Sequence, residues 1–206
     1  MTATLDRASA RRWIDAFAAD FERERTRLTE LDRAAGDGDF GANLRSALGK
    51  VQQRLTVDPQ TARAVFAAVS DAFLDTGGTS GPLFGMWFRA LSRALPETDP
   101  ADLTQLAEGV REGTATVQRL GGAEVGDKTM VDAMVPAAAA LVDAAGAGHA
   151  LTAAAEAAEH GAASTQELVA RRGRASYVGE VARGVLDPGA LAVALFFRAG
   201  ARALDG

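Results

Sequence analysis

The sequence predicts an all-α fold, an antiparallel eight-helix bundle or barrel formed by a single domain over residues 1–206. Three observations carry that expectation. Apolar residues recur at helical spacing along nearly the whole chain. Alanine is abundant, whereas β-branched and aromatic residues are sparse. Each periodic stretch stops at a short segment of Gly with Asp, Pro, Ser or Thr. The 206 residues, 48% of them hydrophobic, suffice for one well-buried core, and neither a linker nor a sequence repeat divides them.

The elements follow in order. Trp13, Phe17, Phe21, Leu28 and Leu31 share one face of a first helix that ends at Gly36. Leu44, Leu48, Val51 and Leu55 form the stripe of a second. Asp58-Pro59 reads as an N-cap followed by a first-turn proline, opening a third helix through Val65, Val69 and Phe73 that stops at Gly77-Gly78. A fourth runs through Leu83, Trp87, Leu91 and Leu95 to a turn over Pro96–Pro100. The fifth carries Leu103, Leu106, Val110 and Val117, with Gly109 and Gly113 spaced for close packing on a neighbour, and breaks at Gly121-Gly122. Met130, Met134 and Leu141 mark a sixth, kinked at Pro136. An alanine-rich seventh extends from about Leu151 to Val169. Asp187-Pro188, a second cap and first-turn pair, opens the eighth through Leu191, Leu195 and Phe196. No stretch alternates as a strand would.

Composition excludes several classes of function. A net charge of -5 and a pI near 5.1 argue against a nucleic-acid partner. No apolar run approaches the ~18 residues that cross a bilayer, and MTATLDRASARRW lacks the apolar centre of a signal peptide. Cysteine is absent, which removes disulfides, thiolate catalysis and zinc–sulfur sites. A soluble cytoplasmic protein is the expectation.

The distinctive chemistry lies in four loops. Asp32, Asp37 and Asp39 concentrate three carboxylates around Gly36-Asp37-Gly38-Asp39. Carboxylates ~4 Å apart repel by up to ~4 kcal/mol at an effective dielectric of 20, and a divalent cation relieves that repulsion. Oxygen-only ligands beside glycines suit magnesium with substrate phosphates; a solvated Asp-Gly turn is the plainer reading. Three known signatures overlay the loop and fail. Gly36-x-Gly38-x-x-Gly41 has no preceding strand, Asp39-Phe40-Gly41 lacks the other protein-kinase motifs, and an EF-hand from Asp37 would meet Gly41 and Leu48 where acceptors are needed. Thr79 and Ser80 follow Gly77-Gly78 at a helix start, which reads as an anion site or as an ordinary cap. Gly121 and Gly126 have P-loop spacing, but Asp127 is inserted before Lys128-Thr129 and a helix precedes them. Lys128 therefore reads as a phosphate contact, a partner for an acidic cluster, or a surface lysine. Arg174 stands amid Arg171-Arg172-Gly173, the one concentration of positive charge, and reads as a solvated run or a phosphate or nucleobase contact.

Taken in order, these stretches resemble the DhaL-type family, the nucleotide-binding subunit or domain of dihydroxyacetone (glycerone) kinases. The resemblance rests on Leu31-Asp32, Gly36-Asp37-Gly38-Asp39 through Asn43, Gly77-Gly78-Thr79-Ser80-Gly81-Pro82-Leu83-Phe84-Gly85, Gly126-Asp127-Lys128-Thr129-Met130, Gly173-Arg174-Ala175-Ser176-Tyr177 and Asp187-Pro188-Gly189-Ala190, and spans essentially the whole chain. It implies an eight-helix barrel with ADP or ATP at one end. Asp32, Asp37 and Asp39 would hold two magnesium ions bridging the phosphates. Thr79 and Ser80 would contact phosphate with Asn43 close by, and Gly121, Met130, Arg174, Asp187, Pro188 and Gly189 would line the rest.

The resemblance further implies phosphoryl transfer to a keto-sugar held by a separate dihydroxyacetone-binding subunit or domain. Either ADP is retained and rephosphorylated by a phosphotransferase-system protein, or ATP exchanges; a homodimer is left open. His149 and His160 lie in the alanine-rich helix with no supporting cluster and are expected at the surface. The chain departs from the family pattern at Phe40, where a histidine is usual, at Val181-Ala182 in place of Arg-Ser, at Val185 in place of histidine, and at Leu191 in place of a hydroxyl residue. These changes remove polar groups and spare the aspartates. They keep open a rival reading, a degenerate nucleotide- or ligand-binding module with an interaction role and no kinase activity.

Overall fold

The structure, a computed structural model, describes residues 4–177 and 179–204. Among them are eight α-helices: α1 Arg7–Ala35, α2 Phe40–Arg54, α3 Ala62–Leu74, α4 Ser80–Ala94, α5 Leu103–Gly121, α6 Val131–Ala144, α7 Ala150–Ser164 and α8 Pro188–Leu204. Each packs on its neighbours in the chain, and α8 returns to α1 to close the ring. The expected all-α architecture is therefore the observed one. Its one addition among the described residues is a two-residue antiparallel pairing of Thr4–Leu5 with Ala101–Asp102. That is too short to leave a period in the sequence.

The helix starts show which local signals were decisive. Asp6 opens α1 with a reciprocal capping box, accepting from the Ser9 N–H at 2.8 Å while Ser9 Oγ accepts from the Asp6 N–H at 2.9 Å. The expected cap at Asp58 is not used. Asp58 instead has a left-handed backbone at φ 51 after a 3₁₀ turn, and its carboxylate pairs with Arg7 at 3.0 Å. Thr61, extended at φ -139, takes the Ala64 N–H at 3.2 Å and starts α3. Likewise α7 ends at Ser164 rather than near Val169. A 3₁₀ turn, Thr165–Glu167, follows, and Leu168 is extended.

Aromatic rings fill the centre of the ring of helices. Phe196 of α8 stacks on Trp13 of α1 with centroids 4.6 Å apart, and meets Trp87 of α4 edge-on at 5.1 Å. The Trp13 Nε1–H donates to the Phe196 carbonyl at 2.7 Å, so this buried indole also satisfies its polar atom there. Asp20, 2% exposed, pairs with Arg23 and with Arg202 of α8, a second tie across the closure.

Close approach elsewhere depends on missing side chains. A Cβ at Gly109 would lie 2.9 Å from Leu91 Cα, and one at Gly113 would lie 2.7 Å from Trp87 Cδ1, so α4 and α5 touch where the sequence spacing anticipated. A less legible case joins α6 to α7. Pro136 lies inside α6 and has no N–H, which leaves the Asp132 carbonyl without its helical donor. Gly161 of α7 sits against that oxygen, and a Cβ there would collide with it. Gly161→Ala is expected to destabilise the fold by roughly 1–3 kcal/mol, because the obstruction is backbone rather than a movable side chain. Thermal unfolding should then fall by about 2–4 °C per kcal/mol.

Candidate functional site

In an up-and-down ring, alternate helix ends face the same way. The C-terminal ends of α1, α3, α5 and α7 and the N-terminal ends of α2, α4, α6 and α8 accordingly meet at one end, with residues 36–39, 75–79, 122–130 and 165–187 connecting them. Four helix N-termini direct their positive dipole ends there, a setting that favours an anion. A cleft of about 190 Å³ opens between these loops. Asp32, Asp37, Asn43, Thr79 and Ser80 line its polar side, while Leu83, Val117, Ala123, Met130, Val131 and Pro188 give it an apolar surface.

Of the residues singled out for the site from the sequence, Gly121, Asp187 and Gly189 also line this cleft. Asp39 is exposed just before α2 and does not line it. Arg174 opens the 3₁₀ turn Arg174–Tyr177, and its side chain lies outside the described residues. His149 and His160 are exposed and remote from the cleft lining.

The polar side is organised from the sequence upward. Asp32, in the last turns of α1, is 9% exposed, and its Oδ2 accepts the Phe40 N–H at 2.8 Å, fixing where α2 begins. Between them Gly38 turns the chain at φ 81, and Asp37 Oδ1 accepts weakly from the Asp39 N–H at 3.3 Å. Gly78, at φ 83, lies against the Asn43 amide; a Cβ there would come within 2.7 Å of Asn43 Nδ2. That contact joins the first loop to the second. Thr79 precedes α4 without a capping hydrogen bond from its side chain, so the plain capped-helix reading does not describe this start.

On the polar side of the cleft Asp32 and Asp37 offer carboxylate oxygens, the chemistry that a hard divalent cation takes, and Asp187 is a third carboxylate on the wall. Among the described residues no three acidic or histidine side chains already stand close enough to hold an ion. Phe40, 8% exposed, forms part of the same wall.

Beneath the apolar side lies a polar network that was only partly visible in sequence. Lys128 is not a surface lysine: it is 1% exposed, lines the cleft from beneath, and its Nζ donates to the carbonyls of Thr165 and Val185. Burial lowers its pKa, opposed by the charges of Asp187 and Asp132. Asp132, 2% exposed, accepts from the Gly126 N–H at 2.6 Å and the Thr129 N–H at 2.8 Å, bracing the loop that carries Lys128. Asp132 and Thr165 were not among the residues that stand out along the chain. Thr129-x-x-Asp132 is a capping-box spacing and was the available signal for the first. Nothing local marks the second.

Asp187 caps α8 as expected, accepting the Ala190 N–H at 2.7 Å, while its own N–H donates to Thr165 Oγ1 at 2.9 Å. Burial pushes its carboxyl up to about 7; the Ala190 N–H and Lys128 oppose this, and Asp132 and Asp32 reinforce it. In the unfolded chain the group ionises near ~3.9. Between about pH 4 and 7 the folded state therefore holds a proton that the unfolded state has lost, and stability falls as pH rises through that window. Asp187→Asn retains the cap and should flatten this slope, whose full span is roughly 2–4 kcal/mol. Urea denaturation of both proteins from pH 4 to 8 checks it.

The DAK2 domain family matches residues 34–202, so the chain belongs to that family. It is 36% identical over 196 residues to the PEP-dependent dihydroxyacetone kinase, ADP-binding subunit DhaL, of Escherichia coli K12, covering 92% of this chain and 93% of that one. The ADP-binding subunit DhaL of PEP-dependent dihydroxyacetone kinase 1 of Listeria innocua is 33% identical over 198 residues, with 95% of this chain and 96% of that one covered. L-erythrulose 1-kinase of Mycolicibacterium smegmatis is 41% identical over 187 residues, but those make up 88% of this chain and 32% of that kinase. Among solved structures, the dihydroxyacetone kinase from C. freundii in complex with AMP-PNP and Mg2+ superimposes with a TM-score of 0.72 at 29% identity, covering 92% of this chain and 33% of its own. The chain thus spans nearly all of the DhaL subunits and about a third of the larger kinases.

Proposed function

From membership of the DAK2-domain family, we propose that the chain is the nucleotide-binding, phosphoryl-transferring subunit of a dihydroxyacetone (glycerone) kinase. It would depend on magnesium and act in the cytoplasm on a keto-sugar held by a partner subunit. The observation that carries this reading is one cleft that joins the Asp32 and Asp37 carboxylates and an open helix start to an apolar surface. The apolar residues Leu83, Val117, Met130 and Pro188 suit a nucleobase. The first-turn N–H groups of α4, with the Thr79 and Ser80 hydroxyls, suit phosphate.

Asp32, Asp37 and Asp39 would hold magnesium, which neutralises phosphate charge when bound. Asp39 does not line the cleft, but it is exposed and two residues from Asp37. The residues of the chain position and neutralise, and no covalent protein intermediate is required. The acceptor hydroxyl arrives on the partner, and a phosphotransferase-system protein is the donor if ADP stays bound.

A second reading, a binding module without kinase activity, is favoured by one observation: Phe40 places an apolar ring in the wall beside the aspartates. Calorimetry of ADP and ATP with and without magnesium tests the first reading. Binding that requires magnesium is expected. Equally tight binding without the metal, or none in either condition, overturns it. Turnover of dihydroxyacetone on mixing with a dihydroxyacetone-binding subunit separates kinase from module.

A further inference from the structure

Residues 165–187 leave the barrel after α7 and return at α8, and their described part holds nothing longer than 3₁₀ turns. The two ends of this excursion are joined. The Asp187 N–H donates to Thr165 Oγ1 at 2.9 Å, and the Gly184 N–H donates to the Gln166 carbonyl at 2.8 Å. One ammonium bridges them as well, since Lys128 Nζ donates to the Thr165 carbonyl on the departing strand of chain and to the Val185 carbonyl on the returning one. Between the ends the excursion contributes Arg172, Gly173 and Ala175 to the cleft.

Lys128 reaches this neck because its backbone is held in the left-handed region at φ 61, an uncommon state for a residue with a side chain. The braces on either side are the Gly126 and Thr129 N–H groups on the Asp132 carboxylate. Such backbone strain persists only where the surroundings over-determine it. An ammonium has three donors; two meet carbonyls, and Asp187 and Asp132 supply the neighbouring negative charge. We propose that Lys128 is a positioning residue for the nucleotide site: it clasps the neck of the 165–187 excursion and so fixes one wall of the cleft, without itself binding phosphate. The proposal takes its ligand from the nucleotide reading above, but the clasp stands on geometry alone.

The test uses the full chain with Lys128→Met, Lys128→Gln, which keeps a donor, and Val65→Ala, a core truncation in α3 outside the cleft lining. Amide exchange is followed without nucleotide, and release of a fluorescent ADP analogue is followed with magnesium. Lys128→Met should speed exchange across residues 166–177 and raise the release rate about tenfold or more. Lys128→Gln should fall between it and the parent, and Val65→Ala should alter neither. Unchanged exchange and release in Lys128→Met, or the same changes in Val65→Ala, overturn the proposal. If Lys128→Met does not fold, Lys128→Gln decides by the same two readouts. Absence of ADP binding by the parent would defeat the nucleotide reading, and the exchange comparison would still decide the clasp.

Discussion

Replacing Asp37 and Asp39 together by asparagine is expected to weaken magnesium-dependent ADP binding by at least about 100-fold, on the order of 3 kcal/mol. Affinity measured without magnesium should stay as it is. The physical reason is charge: asparagine keeps the size and the acceptor oxygen of each side chain, but two formal negative charges leave the neighbourhood of a divalent ion. The fold should not notice. Both residues are exposed in the connection between α1 and α2, and neither belongs to the core. Surface changes of this kind stay within about 0.5 kcal/mol of the parent. Asp32→Asn would be a poorer probe, because the Asp32 carboxylate also accepts the Phe40 N–H that begins α2. Calorimetry paired with thermal melting reads both halves of the prediction. Affinity that survives in the double variant would remove these aspartates from the metal site.

A second large effect is expected at the opposite extreme of burial. Phe196→Ala should destabilise the protein by about 3–5 kcal/mol, the range for deleting an aromatic ring from a packed core. For a chain of this size, that corresponds to a fall in melting temperature on the order of 6–20 °C. Phe196 is fully buried and contacts Trp13, Phe17, Trp87, Phe88 and Phe197. Its ring therefore links α1, α4 and α8, the elements whose meeting closes the ring of helices. The Trp13 bond to the Phe196 carbonyl is made by backbone and would persist, so the loss measures packing rather than hydrogen bonding. Denaturant unfolding should show a shifted midpoint at an unchanged slope.

The candidate site divides into residues that could be read in order along the chain and residues that could not. Asn43, Thr79, Ser80, Met130 and the Asp187-Pro188-Gly189 run were legible because each sits in a short loop whose glycines and hydroxyls contrast with the helices around it. The cleft gathers them because alternate helix starts share one end. For Lys128 the chain order leaves three readings open, and the fold selects the partner of an acidic cluster, beside Asp132 and Asp187. A lysine in a glycine-rich loop is usually solvated, and its burial follows from a left-handed backbone and two carbonyl partners 37 and 57 residues away. Asp58 is a different case. Asp-Pro is a sound local cap signal, but Arg7, brought near by the fold, claimed the carboxylate and left the start of α3 to Thr61.

What the sequence determined by itself was therefore periodic or local: eight helices, their faces, the Gly109–Gly113 contact, and the loops that carry the polar chemistry. Helical spacing and glycine breaks act within a few residues, so they are written in the chain order. Tertiary structure alone decided which carboxylates share the cleft wall, that Asp39 does not line it, and that Lys128 lies buried between Asp132, Thr165 and Asp187. Burial and charge proximity arise only when distant segments exclude water together, and no local pattern records them.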